Sequence, residues 1–143
     1  MKRCLVDVNV LLALLVRHHE HHKMAVKWFD KLAAGEAGLC RSVQLALIRL
    51  LGNRAVMGEY AVSALAAWKL IDDLMQDERL YFVAEPDGVD SVFPGLLRYP
   101  ISTGKLVGDA WLAAMSIAVS TKLVTLDSGF RQFKGLDVTV LAR

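Results

Sequence analysis

The sequence is poor in the residues that mark several other protein classes. Two cysteines in 143 residues, Cys4 and Cys40, cannot build a disulfide framework and offer no metal-type spacing. Both sit in short apolar runs, which predicts two buried, reduced thiols. Three prolines and ten glycines are too few for a fibrous or low-complexity chain. No apolar run reaches the length of a membrane span, because the best candidate, residues 106–119, is interrupted by Asp109 and Ser116. The opening Met1-Lys2-Arg3 passes at once to Cys4-Leu5-Val6-Asp7, and an acid this early breaks the apolar stretch of a secretory signal. A cytoplasmic protein without a membrane partner is the expectation.

What the chain does have is core material. Hydrophobic residues make up 55 % of it, with a mean hydropathy of +0.37, which excludes disorder and suits a single domain over residues 1–143. The net charge is only +2, yet it is unevenly spread. Residues 72–90 hold seven acids and one base, so the remainder is distinctly basic and compatible with a polyanionic partner.

Periodicity predicts alternating strands and helices. Residues 3–8 read as a buried strand, 9–16 as an apolar helix, 20–34 as a second helix carrying Met24, Trp28 and Leu32 on one face, and 37–41 as a second strand. Ser42 is placed to cap a helix containing Leu45, Ile48 and Leu51. Helices over 61–75, 89–98 and 105–120 and strands over 80–84, 122–126 and 137–141 follow, with a helical turn at 128–133; Pro94 limits the helix at 89–98 unless it lies in the first turn. Light clustering of Gly and Pro predicts loops around residues 86–104. Continuous apolar strands separated by helices predict a three-layer α/β/α sandwich with a mostly parallel central sheet. Ligands of such folds bind beyond the carboxyl ends of the strands.

Two acids fall at such ends. Asp7 follows Cys4-Leu5-Val6, and Asp127 follows Leu123-Val124-Thr125-Leu126. A third, Asp109, is embedded in Leu106-Val107-Gly108-Asp109-Ala110-Trp111-Leu112. Each also fits a local role: Asp7 and Asp127 as caps of the elements that follow them, and Asp109 as an early-turn acid favoured by the helix dipole. Taken together, three carboxylates near the core edge repel one another unless a hard divalent cation such as Mg²⁺ or Mn²⁺ joins them, and that combination suits phosphodiester hydrolysis.

These segments resemble a known family. Leu5-Val6-Asp7-Val8-Asn9-Val10-Leu11 is similar to the opening of PIN domains; Val107-Gly108-Asp109-Ala110-Trp111-Leu112-Ala113-Ala114 and Leu123-Val124-Thr125-Leu126-Asp127-Ser128-Gly129-Phe130 resemble the later acidic motifs of VapC-type toxins. His22-x-x-Ala25-x-x-Trp28 and the run from Gln44 to Leu51 look like the same subgroup. The resemblance implies a metal-dependent endoribonuclease from a type II toxin–antitoxin module, with RNA as substrate, a cognate antitoxin and a homodimer. It implies Mg²⁺ or Mn²⁺ at Asp7 and Asp109, with Asp127 direct or through water, and supporting roles for Asn9, Thr125 and Ser128. Where many members carry Glu on the third helix, Gln44 stands here, an amide without charge.

Two other readings fit part of the pattern. A non-catalytic PIN-like module holding RNA or protein accommodates Gln44. A haloacid-dehalogenase-type phosphatase also places Asp after its first strand, but it wants Asp-x-Asp where this chain has Asp7-Val8-Asn9, and Asp127 is followed by Ser128-Gly129 rather than another acid.

Arg41 and Arg49 flank Gln44 and are candidates either for RNA phosphates or for structural ion pairs. Four histidines around Glu20 fail the His-Glu-x-x-His pattern, since Lys23 stands four residues after His19; they predict a polar helix start, with His22 beside Trp28 at the core. Trp68 and Trp111 read as packing residues. Leu45, Leu47, Ile48, Leu50 and Leu51 exceed one helix face and predict an apolar surface for a second copy or a partner helix.

Overall fold

The computed structural model describes residues 2–98 and 104–142, so the loops expected at 86–104 fall partly outside the described residues. The elements run β1 (Cys4–Val6), α1 (Val8–Leu15), α2 (His22–Asp30), β2 (Ala37–Cys40), α3 (Arg41–Leu51), α4 (Arg54–Met57), α5 (Ala64–Leu74), β3 (Leu80–Val83), α6 (Val89–Leu96), α7 (Gly104–Ala118), β4 (Lys122–Thr125) and β5 (Val138–Val140). Single 3₁₀ turns occupy Gly58–Tyr60 and Ser128–Gln132.

All strand pairings are parallel, and the order across the sheet is β3-β2-β1-β4-β5. Every residue of β1 and β2 is buried, as it must be when helices cover both faces and no alternation survives. α2 packs on α1, α1 on α3 and α3 on α5, while α6 packs on α7 and α7 on β4. The expected α/β/α architecture is therefore present, with a sheet wholly rather than mostly parallel. Where β2 meets β3, Gly38 faces Tyr81, and a methyl group at 38 would collide with the Val83 side chain; only glycine fits that close approach. No helix of the described residues is long and apolar enough to cross a membrane.

Cys4 and Cys40 are both buried free thiols, and burial pushes the Cys4 thiol up to about 11. Cys4 pairs with Ala37, so the two cysteines stand at opposite ends of adjacent strands.

Several local expectations are corrected. Cys40, not Ser42, occupies the cap position of α3, without a side-chain cap bond, and the helix begins at Arg41, two residues earlier than a Ser42 cap would put it. The helix expected from residue 61 begins at Ala64, because Ser63 caps it by accepting from Ala66 N at 3.1 Å; α4 fills the space before it. Pro94 sits near the end of α6, which stops two residues later. α2 starts only at His22, so His18 shares no helical face with it; His22 Nδ1 lies 2.8 Å from the Ala13 carbonyl and ties α2 to α1.

Candidate metal centre

The sheet order reverses beside β1: β2 and β3 extend to one side, β4 and β5 to the other. At such a switch point the loops leaving adjacent strands diverge and leave a crevice at their carboxyl ends. A cleft of about 480 Å³ opens there. Asp7 enters it from the end of β1, Asp127 from the loop after β4, and Asp109 from α7, which also contributes Gly104, Gly108 and Leu112. α3 forms the facing wall with Ser42, Val43, Ala46, Arg49 and Leu50, continued by Asn53.

Asp7 is the anchored member. It caps α1 through Oδ1, which accepts from Val8 N at 2.7 Å, while Oδ2 accepts from the buried Thr125 hydroxyl at 2.7 Å. Thr125 Oγ1 in turn accepts from Asp127 N at 3.0 Å, so one hydroxyl ties the two strand-end acids together. This follows from register: Val6 pairs with Val124, which sets Asp7 beside Thr125. Asp127 caps the 3₁₀ turn after it, Oδ1 accepting from Gly129 N at 2.8 Å. For these two acids, capping and cleft lining coincide, and each carboxylate is fixed in direction by the local bond. Asp109 is not an early-turn acid. α7 begins at Gly104, which puts Asp109 in the second turn, beyond the reach of a first-turn dipole argument.

Asp7 is only 4 % exposed, and its two hydrogen-bond partners, Val8 N–H and the Thr125 hydroxyl, are both uncharged. Burial raises its carboxyl to about 6; the Thr125 and Val8 bonds pull the other way, and the charges of Asp109 and Asp127 raise it further. Among the described residues, three carboxylates thus share the cleft with the single guanidinium of Arg49. Its polar lining offers oxygen donors and no sulfur or imidazole, which fits a hard divalent cation. Among the described residues no three potential ligands are drawn up to ligand spacing. The acids share the cleft without forming a closed shell, as suits an ion that keeps several waters.

The other expected residues divide. Asn9 lines the cleft and Thr125 lies behind it. Ser128 is exposed on the turn and does not line the cleft. Gln44 does not line it either: it is buried, and its Oε1 accepts from Arg41 Nη1 at 2.7 Å. Arg41 likewise points away, its guanidinium 4.9 Å from the Phe82 ring centre and 5.8 Å from that of Trp68. The expected placement of Gln44 and Arg41 at the site is corrected, because α3 turns positions 42, 46, 49 and 53 toward the cleft and 41 and 44 toward α5. Gln44→Glu should accordingly leave Mn²⁺ affinity unchanged in a calorimetric titration; a clear rise would put residue 44 back at the ion. Trp111 packs edge-on against Phe93 at 5.2 Å, as expected of a core residue, but Trp68 is exposed.

Asn53 and Ser42 were not anticipated as cleft residues. Their helical spacing from Arg49, four and seven residues, was the available indication. Thr125→Val tests the anchoring bond. Without a hydroxyl to favour its charged form, Asp7 should rise further, and metal affinity should fall by roughly 10- to 100-fold, typical for loss of a ligand-orienting partner. Unchanged affinity by calorimetry would show that the bond does not matter to the site.

An acidic cleft at the switch point of a parallel α/β/α sheet is an arrangement able to hold a hard divalent cation. The chain belongs to the PIN-domain family, whose model matches residues 4–136. It is 35 % identical over 144 residues to Ribonuclease VapC41 of Mycobacterium tuberculosis, covering 97 % of this chain and 99 % of that protein. Ribonuclease VapC29 of the same organism is 34 % identical over 139 residues, covering 96 % and 94 %. Among solved structures, DNA-bound VapBC from Salmonella typhimurium superposes with a TM-score of 0.69 at 12 % identity, covering 99 % of this chain and all of that one. The sarcin-ricin-loop-cleaving toxin VapC20 of M. tuberculosis superposes at 0.65 with 17 % identity, covering 90 % and 93 %. At these identities the structural matches speak for the fold alone. The haloacid-dehalogenase alternative falls with the family assignment.

Proposed function

We propose that the protein is a divalent-metal-dependent endoribonuclease and the toxin of a type II toxin–antitoxin pair. The single observation that carries this is the meeting of Asp7, Asp109 and Asp127 in one cleft on a PIN-domain chain whose full-length relatives are named ribonucleases.

Asp7 and Asp109 would hold the ion, Mg²⁺ or Mn²⁺, with Asp127 acting on it directly or through a water. When bound, the ion supplies Lewis-acid polarisation of a phosphoryl oxygen and a more acidic water. The chain's own contribution is positional. Val8 N–H and the Thr125 hydroxyl fix both oxygens of Asp7, so the carboxylate pays no reorganisation when substrate arrives. Asp127, oriented by the bond from Gly129 N–H to its Oδ1, would position the attacking water and accept its proton. Asn9 donates from the rim of the same cleft.

RNA is the substrate and a cognate antitoxin the regulating partner; several solved structures of this fold are VapB–VapC complexes. The exposed Leu45, Leu65, Trp68 and Phe82, on α3, α5 and β3, support a protein-docking surface and a homodimer. The test is incubation of the purified protein with RNA and with a small phosphate ester, in Mn²⁺ and in chelator. RNA cleavage only with the ion is expected. RNA that is bound yet left intact in Mn²⁺ would put a non-catalytic binding module in its place.

A further inference from the structure

The cleft is polarised. One wall, from β1, the loop after β4, and α7, brings three carboxylates; the other, from α3 and its continuation, brings no acid at all. Ser42, Arg49 and Asn53 are its polar residues, with Val43, Ala46 and Leu50 between them. Arg49 sits on the last turn of α3 and is solvent-exposed. Among the described residues no hydrogen bond or ion pair engages its guanidinium, although three carboxylates share its cleft. Arg41, on the first turn of the same helix, is committed instead to Gln44 and the Phe82 ring. Asn53, four residues beyond Arg49, accepts from Ala55 N at 2.8 Å through its side-chain oxygen, which leaves its amide N–H groups as the donors it can offer the cleft.

We infer that this second wall is the substrate-phosphate wall, and that Arg49 grips the non-bridging oxygens of an RNA phosphodiester opposite the carboxylates, with the Asn53 amide beside it. This rests on the ribonuclease reading and assigns the part of that site which the acids leave open. An anion cannot approach three carboxylates unaided. A planar guanidinium, unpaired and facing them across the cleft, supplies two parallel N–H donors and a charge that does not titrate. Arg49 also compensates for the acid missing from α3: charge that would otherwise need a further cation is met by a fixed one from the chain.

The experiment measures binding of a fluorescent single-stranded RNA oligonucleotide in chelator, where no cleavage occurs, across a salt series, for the wild type, Arg49→Gln and Arg49→Lys. Mn²⁺ binding to the same proteins is measured by calorimetry, and RNA cleavage in Mn²⁺ by gel. Arg49→Gln should weaken RNA binding by about tenfold or more and flatten the salt dependence by about 0.7 in slope, the share of one phosphate contact on a single strand. Arg49→Lys should keep the slope and recover only part of the affinity, because it keeps the charge and loses the fork. Mn²⁺ affinity should not fall in either variant. Unaltered RNA affinity and slope in Arg49→Gln, with wild-type cleavage intact, would overturn this assignment alone. A wild type that neither binds nor cuts RNA would overturn the ribonuclease reading and this assignment with it.

Discussion

Asp7→Asn should abolish RNA cleavage and, at neutral pH without metal, make the protein more stable. The loss follows from the proposed role of Asp7 as the deepest ion ligand; several kcal/mol of transition-state stabilisation correspond to a rate reduction of roughly 10³-fold or more. The gain in stability follows from the carboxyl's position. Asp7 is 4 % exposed, and its pKa is raised from 3.8 to about 6. The folded state therefore holds the proton more tightly than the unfolded chain does. Between these two values stability falls as pH rises, and above about 6 the full deficit, about 3 kcal/mol, persists. An asparagine has no charge to desolvate, and it can still accept from Val8 N through its oxygen and donate to Thr125 Oγ1 through its nitrogen. Thermal melts in chelator should show the variant roughly 6–12 °C above the wild type at pH 7.5, with the gap closing near pH 4. Equal melting temperatures at pH 7.5 would mean that the buried charge is already compensated without metal.

The second large effect concerns pH and the ion. Below about 6 a proton and a divalent cation compete for the same Asp7 carboxylate. Apparent Mn²⁺ affinity should be flat above that value and fall about tenfold for each further unit of acidification. An ordinary aspartate, titrating near 3.8, would leave affinity level down to pH 5. Calorimetric titrations between pH 5 and 7.5 decide between the two, and the same curves give the stoichiometry. With no carboxylate on the α3 wall, one ion per chain is expected.

Much of this was legible in the sequence, because strand-end acids announce themselves. A run such as Leu5-Val6-Asp7 or Val124-Thr125-Leu126-Asp127 places a carboxylate where a parallel sheet presents its ligand crevice, whatever the helices do. Asp109 was legible as an acid inside an apolar helix, and the expected span of 105–120 already put it past the first turn, as α7 from Gly104 does. α3 was not legible. Its faces are packed between α1 and α5, so apolar residues surround it and periodicity cannot say which side meets the cleft. Gln44 therefore looked like a site residue and is a buried partner of Arg41, while Asn53, which nothing in the pattern singled out, lines the cleft. Trp68 was misread for a related reason: an aromatic in an apolar helix is indistinguishable by sequence from one on a surface that another molecule covers.

The hydroxyl-to-carboxylate bond between Thr125 and Asp7 spans 118 positions of the chain. Such a contact exists only after the first strand and the fourth have docked, and a ribosome delivers them at widely separated moments. A chain synthesised only through β3 has Asp7 but neither Asp109 nor Asp127. The order of strands across the sheet therefore acts as a safety catch on the proposed nuclease site, whose three acids can meet only when translation has passed Asp127.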